Sequence, residues 1–173
     1  MIKAIAAIGT GHAAIGLNGK LPWKCKEDMV EFRKRTRDLV LLCGSKTYED
    51  MKPIDGTNGR SLIRITRNPV DEKDRTLEEA VEEFPDAMIC GGREIYIAAM
   101  PYIEEFILNT IEYCGPYDTV FPMEEFLKEN WSVGMMMTLP DSGMLKSVSS
   151  YFKKKNVNDL DKFLKDDSGF DIK

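Results

Sequence analysis

Val40-Leu41-Leu42-Cys43-Gly44-Ser45-Lys46-Thr47 and Met88-Ile89-Cys90-Gly91-Gly92-Arg93 decide the fold, because both stretches set out the same parts in the same order. A short apolar run ends in glycine, and a segment able to form a helix follows. An apolar run without alternation suits a strand covered on both faces, as in a parallel sheet. Glycine at its end lets a ligand approach the backbone. The helix start beyond it presents free N–H groups and the positive end of the helix dipole, which suits phosphate. Two such units predict a pyrophosphate gripped from both sides.

Working outward, Ile2 to Ile8 reads as a first buried strand. Residues 9–24 hold Gly9, Gly11, Gly16, Gly19 and Pro22 and read as one long loop. A helix is predicted over 26–37, with Cys25, Met29, Phe32 and Thr36 as its inward stripe. Leu39 to Cys43 is the second strand, and a short helix runs from there to Met51, with Ser45 as its N-cap. Leu62 to Thr66 is the third strand. Leu77 to Phe84 is helical, with Leu77, Ala80, Val81 and Phe84 on one face. Ala87 to Cys90 is a strand, Glu94 to Met100 a helix stopped by Pro101, and Glu105 to Glu112 a strand. Trp131–Met137 and Ser147–Lys153 read as two late strands, antiparallel because no crossover helix separates them. This order predicts an α/β fold around a mainly parallel sheet, whose ligands collect at the carboxyl ends of the strands.

The chain has 173 residues, 43% of them hydrophobic, which suits one compact domain. A net charge of −5 argues against a nucleic-acid partner, which needs a basic face. Cys25, Cys43, Cys90 and Cys114 include no C-x-x-C pair, and His12 is the one histidine, so no metal site is expected. The cysteines read as reduced, buried thiols of a cytoplasmic protein. The first apolar run is too short for a signal peptide, and no run reaches the length of a membrane span. Residues 1–152 form the expected domain. Residues 153–173 are a charged C-terminal extension, read as an accessory helix (Val157, Leu160, Phe163, Leu164) and a solvated end.

Several residues carry candidate chemistry. A carboxylate in the first turn of a helix is ordinarily a surface residue that favours the dipole, and Asp28 admits that reading. Yet Asp28 shares a face with Phe32 and follows Cys25 by three, which admits equally a carboxylate in an apolar cleft, where it needs a partner. A ligand offering an amino group and a ring N–H would satisfy both its oxygens. Trp23 either caps a pocket or anchors the loop. Gly9-Thr10-Gly11-His12-Ala13-Ala14 imitates a dinucleotide fingerprint but fails as one, since Gly16, Gly19 and Pro22 break the helix it requires. Arg60, Arg67 and Lys46 are basic residues near strand ends, suited to an acidic substrate and a phosphorylated cofactor.

Taken together, these residues resemble the dihydrofolate reductase family. Ile15-Gly16-Leu17-Asn18-Gly19-Lys20-Leu21-Pro22-Trp23 is similar to its substrate-covering loop, with Asp28 at the family distance and Phe32 and Thr36 beyond it. Gly44 to Glu49, Gly59-Arg60, Gly91-Gly92 with Ile95-Tyr96, then Asp118-Thr119, Phe121-Pro122 and Trp131 resemble the later landmarks in order, over about residues 1–152.

The resemblance implies an eight-stranded, mostly parallel central sheet with an antiparallel C-terminal strand and flanking helices. It implies reduction of 7,8-dihydrofolate to tetrahydrofolate with NADPH, serving one-carbon metabolism and thymidylate synthesis. It also implies a monomer, inhibition by antifolates, no metal and no membrane. Asp28, Leu21 and Trp23 would be the catalytic group. Ala6, Ala7, Phe32, Met51, Arg60, Cys90 and Asn109 would join Asp28 in binding substrate, with Arg60 on the carboxylate of the glutamate tail. Ala7, Ile15, Gly16, Gly44, Ser45, Lys46, Thr47, Thr66, Arg67, Gly91, Gly92, Arg93, Glu94, Ile95 and Tyr96 would contact the cofactor, with Lys46 and Arg67 toward the 2′-phosphate. The sequence departs from the family pattern at Ser45, where many members carry a basic residue, at Asn109, where threonine is common, and at Cys90, usually aliphatic. A pyrimidine reductase of riboflavin synthesis and a non-catalytic nucleotide-binding protein are the alternatives. The Leu21-Pro22-Trp23 loop with Asp28 and Arg60 speaks against the first, and Asp28, Phe32 and Arg60 speak against the second.

Overall fold

In the computed structural model, residues 1–139 and 147–155 are described. Along the chain run β1 (Lys3–Gly9), β2 (Ala14–Gly16), α1 (Lys26–Arg35), β3 (Val40–Cys43) and α2 (Ser45–Met51), with a 3-10 turn at Lys52–Ile54. Then follow β4 (Ser61–Ile65), β5 (Asp74–Arg75), α3 (Leu77–Glu83), β6 (Met88–Ile89), α4 (Arg93–Ala99) and β7 (Glu105–Ile111). The last elements are β8 (Thr119–Val120), α5 (Met123–Lys128), β9 (Trp131–Thr138) and β10 (Ser147–Lys154). The reading of the charged extension as helix and solvated end falls beyond Lys155, outside the described residues.

Eight strands form one sheet in the order β5-β4-β3-β6-β1-β7-β10-β9. The β1 strand pairs in parallel with β6 and β7, and β3 in parallel with β4 and β6. The continuous apolar runs are thus the central strands: Ala4, Leu41, Leu42, Cys43, Leu62 and Ile89 are fully or almost fully buried. As expected, the late strands are antiparallel, with β10 inserted between β7 and β9. Phe106 anchors one side of the core, with Phe121, Phe126 and Trp131 edge-on to it at ring-centroid distances of 5.4–6.2 Å.

Four expectations are corrected. The inward stripe of α1 holds Cys25, Phe32 and Thr36 as expected, but not Met29. Met29 is 41% exposed, whereas the buried residues of the helix are Asp28 and Glu31. Polar partners make that burial tolerable, Asn109 for Asp28 and Arg35 for Glu31, and hydrophobic periodicity does not register them. The N-cap of α2 is Gly44, and Ser45 is its first helical residue. Cys114 is exposed, while Cys25 and Cys43 are buried and all four cysteines are free thiols. Residues 9–24 are not all loop, because β2 pairs with β8 in a second, two-stranded sheet and Leu17 bridges to Lys20.

One helix start follows its sequence closely. Thr76 accepts from the N–H of Glu79 and Glu79 reaches back to the N–H of Thr76, a capping box that satisfies two orphan donors. Among the described residues no helix is long and apolar enough to cross a membrane.

Candidate active site

Asp28 is 4% exposed, in the first turn of α1, and its Oδ1 accepts from the side-chain amide of Asn109 at 2.9 Å. Asn109 is on β7, directly beside Ala7 of β1 and Ser149 of β10. The acid expected from sequence therefore faces inward, with Ala7 next to the residue that holds it. Burial raises the carboxyl above its ordinary value, the Asn109 bond lowers it, and Glu31 adds to the rise. Two further polar atoms here are buried without a hydrogen-bond partner among the described residues: Trp23 Nε1 and Asn109 Oδ1. Buried polar groups are normally satisfied, so this donor and acceptor mark a place built for polar ligand atoms.

Leu21, Trp23, Lys24, Cys25, Asp28 and Met29 line a cleft at the mouth of this site. Trp23 is buried and packs on Tyr113 at 5.5 Å between ring centroids. Of its two sequence readings, the loop anchor is observed, and the same side chain also lines the cleft. Leu21 is 46% exposed at the same cleft. The loop carrying both is held at its base, where Asn18 N–H donates to Asp118 Oδ2 at 2.8 Å and β2 pairs with β8. Asp118 is a residue that the sequence reading used only as a landmark. Its fixing role depends on a contact a hundred positions away.

Gly44 and Gly91, the two glycine turns, meet. The Gly44 N–H donates to the Gly91 carbonyl at 2.8 Å, across the carboxyl ends of the neighbouring strands β3 and β6. Gly91 has φ +113° and lies against Tyr96, so a side chain there would be strained and would crowd the ring. Neither α2 nor α4 has a side-chain cap at its start, and Gly44 and Gly92 are the capping residues. Their first N–H groups are thus open to an outside acceptor. This cradle fits a dinucleotide pyrophosphate on its own geometry. Thr47 lies beside Gly92, and Ile95 packs close to Gly44. Arg93 donates from Nη1 to the Val120 carbonyl at 2.9 Å, tying α4 to β8. The Tyr96 hydroxyl donates to the Ile5 carbonyl at 2.7 Å, so it supports the turn from below. Ser45, Lys46, Arg67 and Glu94 are exposed; Ile15, Gly16 and Thr66 are half-buried.

Phe32, Met51 and Cys90 pack around the cluster of Ile5, Leu41 and Ile107, while Ala6 is buried in β1. Arg60 is buried and held by three groups: Nε donates to Thr36 Oγ1 at 2.9 Å, Nη1 to Thr57, and Nη2 to the Arg33 carbonyl. Thr36 Oγ1 in turn donates to the Phe32 carbonyl at 2.8 Å. A guanidinium has five N–H donors, so one at Nη2 remains for a further acceptor. Gly59 is needed beside it: φ is +72°, and a Cβ would stand 2.0 Å from Asp38 Oδ1. Glu31, 6% exposed, is the residue that sequence reasoning missed. Among the described residues no group of His, Cys, Asp and Glu is arranged to hold a metal ion.

Similarity to known proteins runs over the same parts. A family model described as dihydrofolate reductase matches residues 1–142. The dihydrofolate reductase of Mycoplasma pneumoniae is 31% identical over 133 residues, covering 66% of this chain and 80% of that protein. That of Mycobacterium tuberculosis is 26% identical over 137 residues, covering 76% and 84%. A solved structure, dihydrofolate reductase from Enterococcus faecalis complexed with NADP(H) and RAB-propyl, shares the fold with a TM-score of 0.79 at 23% identity, covering 90% of this chain and 97% of that one. With a family match spanning most of its length, and an inward acid and paired glycine turns where the motifs put them, the chain belongs to the dihydrofolate reductase family.

Proposed function

We propose that the chain catalyses reduction of 7,8-dihydrofolate to 5,6,7,8-tetrahydrofolate with NADPH, as a monomeric cytoplasmic enzyme open to antifolate inhibition. The observation that carries this reading is the buried Asp28, fixed by Asn109 on the sheet that also carries the paired Gly44 and Gly91 turns. Gly44, Gly91 and Gly92 end or follow β3 and β6, while Ala7 and Asn109 lie late in β1 and β7. These are four consecutive strands of the sheet, so one cleft can serve substrate and cofactor together.

The reaction adds a hydride and a proton across one carbon–nitrogen double bond. NADPH supplies the hydride when bound. What the protein adds is position, dryness and one acid. Asp28 receives the amino group and ring N–H of the pteridine, and its charge favours the protonated form of N5. Ala6, Ala7, Phe32, Met51 and Cys90 surround the ring with apolar atoms. Arg60, stiffened by Thr36, Thr57 and Arg33, offers its remaining N–H to the glutamate carboxylate. Leu21 and Trp23 close the mouth and exclude water. On the cofactor side, Ile15, Gly16, Thr66, Glu94, Ile95 and Tyr96 shape the groove, Thr47 and Arg93 flank the phosphates with the glycines, and Ser45, Lys46 and Arg67 meet the ribose phosphate.

The test is loss of NADPH absorbance on adding dihydrofolate, with and without a pteridine antifolate. Oxidation that the antifolate abolishes is expected. Oxidation that resists the antifolate would indicate a different reductase, and no oxidation at all would leave a nucleotide-binding protein.

A further inference from the structure

Helix α1 buries a second carboxylate that the mechanism above does not use. Asp28, Glu31 and Arg35 fall at i, i+3 and i+7, one stripe of the helix, and Asp28 and Glu31 are only 4% and 6% exposed. Glu31 Oε1 accepts from Arg35 Nε at 2.6 Å. Opposite this stripe, β7 carries Asn109, Ile107 and Glu105 on one face, with Ser149, Tyr151 and Lys153 opposite them on β10. Glu105 pairs with Lys3 of β1 at 3.3 Å, and it also accepts from the Tyr151 hydroxyl, whose ionisation is pushed up to about 12 by burial and by that bond. Arg35 acts on the same hydroxyl from the helix. A row of polar groups thus runs from Asp28 to the far end of α1.

We propose that Glu31 is a positioning residue for the reduction, acting through Asp28: its buried carboxylate, one turn along α1, weighs on the proton occupancy of Asp28, and Arg35 sets how strongly. Two negative charges on adjacent turns repel, and burial weakens the solvent screening between them. Apart from Glu31, the groups near Asp28 are the Asn109 amide from β7, the Cys25 thiol before α1 and the Tyr96 phenol from α4, with the exposed Lys24 and Lys26 at the cleft mouth and the half-buried Glu27 beside it in α1. The thiol and the phenol are both shifted upward, so they remain neutral near pH 7. Glu31 is therefore the buried charge acting on Asp28, and Arg35 offsets part of it.

This inference rests on the proposed reductase activity, which the wild-type assay tests separately. The experiment is the pH profile of kcat/KM for Glu31→Gln, Arg35→Met and the double variant, alongside carboxyl-carbon NMR titration of Asp28 in each folded protein. Removing the Glu31 charge should move both titrations to lower pH by about half a unit or more. Removing Arg35 should move them the opposite way, and the double variant should fall close to Glu31→Gln. A merely structural role would depress rates evenly across pH with unmoved titrations, and that result would overturn the proposal. Should a variant lose turnover, the NMR titration still decides the matter. If a variant does not fold, Glu31→Asp, which keeps the charge, should retain the wild-type titration.

Discussion

The amide of Asn109, on the third strand from the sheet edge, holds the carboxylate of Asp28 at 2.9 Å across the gap between β7 and α1. It is the hydrogen bond in the structure that stabilises the charged form of this acid against burial. Asn109→Leu should leave Asp28 buried without its donor, at a cost of about 1–3 kcal/mol at neutral pH. The apparent ionisation in the pH–kcat/KM profile should move upward. Asn109→Thr, which keeps a donor, should restore most of both losses. Chemical denaturation and the pH–rate profile check this together.

Arg60 is predicted to serve the acidic tail of the substrate. Arg60→Lys should raise KM for dihydrofolate by roughly 10–100-fold, the loss of about one charge-assisted hydrogen bond or slightly more. A dihydropterin without the glutamate should be reduced equally well by both proteins. Equal loss on both substrates would show instead that Arg60 acts only by bracing Thr36 and Thr57.

Cofactor choice should depend on exposed cations. Ser45 opens α2 with no charge, so Lys46 and Arg67 should carry the preference for the phosphorylated nucleotide. Arg67→Ala should lower the NADPH-to-NADH ratio of kcat/KM by about tenfold, and Ser45→Arg should raise it. Comparison of the two cofactors under saturating dihydrofolate checks both.

The sheet edge should be acid-sensitive. Arg64 donates to both oxygens of Asp74 at 2.7 and 2.8 Å, and the N–H groups of Val70 and Asp71 also point at this carboxylate. These bonds hold its ionisation well below the ordinary range. A depressed carboxyl stabilises the fold above its unfolded value, and that contribution is lost as pH falls toward the folded value. Asp74→Asn should thus melt several degrees below wild type at pH 7, with the gap narrowing below about pH 4. Thermal melts at both pH values test this.

Much of this architecture was legible because its signals are local. Val40–Cys43 and Met88–Cys90 are apolar without alternation, and only a strand covered on both faces uses such a pattern. The glycine turns are local in the same way, and the structure brings Gly44 and Gly91 together. What could not be read was anything whose cause is a distant partner. Glu31 looks like a surface glutamate until the packing of α1 in the fold buries it, and Met29 looks like core until Asp28, bonded to Asn109, takes the inward position. The three-residue β2 and two-residue β8 are too short to carry a period, and each exists because the other pairs with it. Asn109 entered through family resemblance; its bond to Asp28 spans 81 positions.

The central claim is most directly tested by turnover of Asp28→Asn across pH. Because burial raises this carboxyl, the neutral amide should leave the fold as stable as wild type or more so at pH 7, so that any loss of activity arises at the site and not from unfolding. Dihydrofolate reduction should fall by about a hundredfold or more at pH 7, within the span of general acid–base contributions, and recover part of that loss at acid pH, where N5 arrives already protonated. Near-normal turnover at pH 7 would contradict the account.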